Sequence, residues 1–188
     1  MSNTYQLLEQ QINQRLDRIE QPQVIHINHA LSHVLDPLHI PIQAKLACLS
    51  IDTSLKHLDE VSYHGIERDG ILIGDLLSAH YYTLLSELDN TEFQLKMSQA
   101  IVKINELKSS LQHQADYIPQ SQVVEIIYQI ETLLLQQVLD VYQPDKMAGA
   151  ITATLIKELQ VTDLSYLTLF DSETSDILFR QLQEKYTN

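Results

Sequence analysis

Apolar residues recur along most of this chain at steps of three and four, the spacing of one helix face. Tyr5, Leu8, Ile12, Leu16 and Ile19 predict an amphipathic helix that stops before Pro22. A second is expected from Val24 to Leu35, ending at Asp36-Pro37. Pro41 fits a first-turn proline. It opens a helix whose Ile42, Leu46, Leu49, Leu55, Leu58 and Val61 point inward. His64 to Gly70 reads as a loop by composition, and Asp89-Asn90 ends the run that follows it. That run, 71–88, is apolar over most of its circumference. Such a helix is either internal or shared with a partner.

Thr91-Glu92-Phe93-Gln94 has the pattern of a capping box with Thr91 at the cap. The helix it opens, about 92–112, carries Leu95, Ile101, Ile104, Leu107 and Leu111. Pro119 starts another with Val123, Ile127, Ile130, Leu134, Val138 and Val141. Pro144 starts the next, through Met147, Ile151, Leu155 and Leu159. A short Leu-rich stretch at 164–170 precedes a last helix capped by Asp171 or Ser172, with Ile177, Leu178, Leu182 and Tyr186 inward. About eight helices and no strand pattern give an all-α, single helical-bundle domain spanning 1–188. Four Gly and five Pro in 188 residues agree with long helices and few turns.

Charge narrows the partners. Twelve Lys and Arg against 25 Asp and Glu leave a net charge of −13. That balance lacks the positive footprint needed for nucleic acid or for an anionic lipid surface. No apolar run is long enough to span a bilayer, and the N-terminus does not read as a secretory leader. With Cys48 as its one cysteine, the chain can form no internal disulfide, and a cytoplasmic location is expected.

Few residues are arranged for chemistry. Asp59 and Glu60 stand together at the end of the helix opened by Pro41. A magnesium ion takes oxygen ligands, so a third carboxylate one turn later would make a site. Tyr63 occupies that position. His26, His29 and His33 fall at i, i+3 and i+7, a spacing compatible with zinc, but no carboxylate lies in register between them. Three polar residues on the wet side of a short helix are the better account of them. Cys48 sits in an apolar stretch and reads as packing. Glycine-rich phosphate loops and the Gly-x-Ser-x-Gly elbow are missing.

Three segments taken in order carry a family resemblance. They are Ser50–Ser62, containing Leu58-Asp59-Glu60-Val61; Gly70–Glu87, containing Gly74-Asp75 and Tyr81-Tyr82-Thr83-Leu84-Leu85-Ser86-Glu87; and Ala100–Glu106, Ala-Ile-Val-Lys-Ile-Asn-Glu. Their order and spacing resemble the trans-polyprenyl diphosphate synthases. In those enzymes a helix ends in His-Asp-Asp-x-x-Asp and, after a loop, another begins with Gly-Asp. Leu58 stands where that family has His, Asp59 and Glu60 at the first two Asp, and Tyr63 at the third. The arginine pair of the loop and the second acidic motif have no counterpart. The degraded first motif is closer to the small subunit of the bacterial two-component heptaprenyl or hexaprenyl diphosphate synthases. The likeness is good over about 45–110 and elsewhere extends only to helix pattern.

The resemblance implies a truncated isoprenoid-synthase fold. It implies a regulatory subunit that is inactive alone but needed for activity and product length, in a synthase making the menaquinone side chain. The catalytic large subunit would hold Mg2+ and, within the complex, take the allylic diphosphate and isopentenyl diphosphate. No cofactor is expected on this chain. Dimer contacts in the family come largely from the two helices after the first motif, here about 71–88 and 92–112. Ile73, Leu76, Leu77, His80, Tyr81 and Leu84 are therefore expected to face the partner in part or to wall a product tunnel, with Gly74 and Asp75 structural. Three competing readings are a helical interaction module with no role in prenyl transfer, a metal-dependent hydrolase built on His26, His29 and His33, and a shrunken but active prenyl synthase, with which Tyr63 and the missing second acidic cluster conflict.

Overall fold

A computed structural model describes residues 3–17, 25–64, 68–144 and 148–187. Among them are eight α-helices, three short 3-10 turns and no strand. Ile19, Val24 and Met147 lie outside the described residues. The chain divides into two compact units, Met1–Asn90 and Thr91–Asn188.

The first unit holds α1 (Thr4–Leu16), α2 (His29–Leu35), α3 (Ile42–His64) and α4 (Arg68–Leu88). Asn3 caps α1: its side chain accepts from the Gln6 amide at 2.9 Å, and the Gln6 side chain accepts from the Asn3 amide at 3.4 Å. These bonds satisfy donors that a helix start otherwise leaves unpaired. Helix α2 starts later than the apolar spacing suggested. Asn28 is extended, and its side chain accepts from the Leu31 amide at 3.0 Å, so the cap sets the start. Lys45 reaches back to the Asp36 carbonyl at 2.7 Å, tying the end of α2 to the start of α3. Leu8 and Ile12 of α1, Leu31 and Leu35 of α2, and Ala47 and Leu49 of α3 are buried. Each large apolar side chain so buried contributes roughly 1.5–3 kcal/mol.

Helix α4 begins at Arg68, inside the segment His64–Gly70 that composition marks as a loop. His64 itself closes α3, and residues 65–67 lie outside the description. Polar residues in a first turn lower apolar content without breaking a helix, which is why composition misplaces the boundary. Asp89 ends the run with φ of 48°, in the left-handed region that Asp tolerates better than most residues.

The second unit holds α5 (Thr91–Gln114), α6 (Gln120–Tyr142), α7 (Ala148–Glu158) and α8 (Ser172–Tyr186). Thr91 is the first residue of α5 and not its cap, one position from the expected register. Pro119 does stand at the start of α6, where its carbonyl accepts from Val123 at 3.1 Å. Pro144 lies in a turn, and the described part of α7 starts at Ala148. The Leu-rich stretch forms a 3-10 turn over Ser165–Leu169. Asp171 caps α8 through the Thr174 amide at 2.8 Å. Helix α6 packs against α5, α7 and α8. Phe93, Met97, Ile127, Leu135, Tyr166 and Leu182 are among the most buried side chains of this unit.

Candidate functional site

The acidic motif and the Gly-Asp motif lie on α3 and α4, which pack together along much of their length. Small and hydroxyl side chains line the seam. Ser54 sits 3.2 Å from the Gly74 carbonyl and 2.8 Å from the Ser78 hydroxyl. Ser50 donates to the Leu77 carbonyl at 3.4 Å, and His57 Nε2 lies 3.0 Å from the Gly70 carbonyl. Side chains this short let two helix backbones approach closely, and their hydroxyls find carbonyls already bonded within the helix. Gly74 belongs to the same close approach. A Cβ on it would collide with the Leu58 side chain. Gly74 and Leu58, quoted in two separate motifs, are one contact.

The acidic pair is spread around the end of α3. Asp59 is half-buried and Glu60 exposed on adjacent positions of α3, about 100° apart around the axis. Tyr63 falls in the last turn of the same helix. Among the described residues no three His, Cys, Asp or Glu side chains gather as a metal-binding group. Asp59 and Glu60 are thus two carboxylates directed differently around one helix.

The three histidines of the second constellation do not share a helix face. His26 precedes α2, outside any helix, whereas His29 and His33 are exposed on α2. The His29 ring stacks on Tyr5, centroids 3.9 Å apart, and so joins α2 to α1. The start of α2 at His29, fixed by the Asn28 cap, removes His26 from register. Cys48 is fully buried, and burial pushes its thiol up, far from nucleophilic use.

Of the six α4 residues expected at a partner surface or tunnel, Ile73, Leu77, His80, Tyr81 and Leu84 are buried within this chain, and Leu76 is half-buried. His80 Nε2 meets the Gln11 side-chain oxygen at 2.8 Å, linking α4 to α1, while its Nδ1 has no partner. Burial, with Arg15 nearby, lowers its pKa to about 4. The Tyr81 hydroxyl is also buried without a partner, and burial raises its pKa. Asp75 is exposed.

The family model described as hexaprenyl diphosphate synthase, small subunit, matches residues 2–160. The chain belongs to that family. Among solved structures, this small-subunit sequence is similar to the crystal structure of heptaprenyl diphosphate synthase from Staphylococcus aureus, at 38% identity and a TM-score of 0.80. The match covers 98% of this chain and 97% of that one. The fold is therefore that of a prenyl diphosphate synthase, as the three motifs implied. No curated protein matches the chain. Among the described residues no helix of this family member is long and apolar enough to cross a membrane.

The outer side of α4 in this family member carries what sequence reasoning left out. Ile71, Leu72 and Tyr82 are 39%, 50% and 60% exposed. The apolar run of α4 hid them, because a helix hydrophobic on all sides does not reveal which side its own neighbours cover. The Ser50–Ser54 and Gly74–Ser78 pairs were visible as i, i+4 small residues on two helices, a signal for close packing that motif comparison passed over.

Proposed function

We propose that this chain is the non-catalytic small subunit of a two-component synthase that makes a heptaprenyl or hexaprenyl diphosphate. It binds a catalytic large subunit and is needed there for activity and product length. The observation that carries this reading is the state of the first acidic motif. Leu58 packs against Gly74, and Tyr63 takes the position that a third carboxylate holds in the catalytic relatives it resembles. Ionising an allylic diphosphate needs magnesium held beside the departing charge. With Tyr63 in place of a third carboxylate and no second acidic motif in the sequence, the chain lacks the paired clusters of the catalytic relatives, so the metal and both substrates belong to the large subunit. The menaquinone side chain is the proposed destination of the product, and the cytoplasm the proposed location.

On this reading α4 and α5 are the partner-facing helices. Leu76 is the member of the six-residue α4 set that reaches the surface, and so the one to touch a partner or a growing chain directly. Ile73, Leu77, His80, Tyr81 and Leu84 act through the shape and rigidity they give α4.

The test is a prenyl-transfer assay with Mg2+, isopentenyl diphosphate and farnesyl diphosphate. This chain, its cognate large subunit and the mixture are assayed in parallel, and product length is read. Long products from the mixture alone are expected. Long-chain synthesis by the large subunit alone, unaltered by this chain, overturns the proposal.

A further inference from the structure

We draw no further inference here: the strongest candidate, the cleft of the second unit between the start of α6 and the start of α8, lined by Ile118, Gln120, Val123, Phe170, Asp171 and Leu178, carries nothing, because the Asp171 carboxylate on its rim is already engaged in capping α8 through Thr174 and nothing in the structure shows what fills it.

Discussion

The α3–α4 seam of the first unit and the α5–α6 packing of the second solve one problem in opposite ways. In the seam, Ser50, Ser54, Gly74 and Ser78 bring two backbones together, and hydroxyls bond across to the facing helix. In the second unit, large side chains fill the space. Phe93 is fully buried and meets Tyr142 edge-on at 5.3 Å between centroids, and Met97 is buried beside it on the same helix. Polar contacts there lie towards the other elements: the Tyr166 hydroxyl donates to the buried Glu131 at 2.9 Å, and Lys108 lies 5.6 Å from the Tyr166 ring centre. A seam of small residues resists added volume. A core of large residues tolerates exchange of shape and suffers from loss of volume.

The largest expected effect comes from removing volume in the second unit. Phe93→Ala should cost about 4 kcal/mol, whereas Met97→Leu, which keeps volume, should cost about 1 kcal/mol or less. Urea unfolding checks both. If the two cost the same, the second unit is not packed as described.

Next is an effect of pH confined to the first unit. His80 has a folded pKa near 4 against an ordinary 6.5. The unfolded chain therefore takes up a proton that the folded chain refuses. Its contribution is fully present above pH 6.5 and lost as pH falls towards 4, by up to about 3 kcal/mol. Unfolding midpoints at pH 7, 5.5 and 4.5 measure the slope, and His80→Gln should flatten it.

A smaller effect tests the seam. Gly74→Ala should cost about 2 kcal/mol despite the better helix propensity of Ala, because Leu58 must move. Leu58→Ala in the same chain should recover most of that loss. A double-mutant cycle with no coupling would show that the two do not share one contact. Smallest is Ser54→Ala, about 1 kcal/mol, for the lost bonds to Gly74 and Ser78.

Much of this architecture was legible beforehand, because helical periodicity is strong over long amphipathic stretches such as α5 and α6. Boundaries were misread where local chemistry competed with that pattern. Asn28 caps α2 and so delays it, and the polar residues before Gly70 start α4 although they look like a loop. The family was legible because three short motifs stood in order. Which α4 residues face outward was not. In a helix this apolar, orientation is decided by α3 across the seam, and that contact depends on Gly74 meeting Leu58 sixteen positions earlier in the chain. Equally hidden was the partnership of His80 with Gln11, residues on helices far apart in sequence.

Cys48 gives the buried α3 a further consequence. It is the chain's one thiol, it has no exposed surface, and burial keeps it protonated. A thiol reagent can consume it only in molecules whose α3 has come open. The labelling rate is thus a clock for breathing of the first unit, running without any engineered probe. The second unit contains no cysteine, so its own openings leave that clock silent. When a partner clamps α4, the clock should slow.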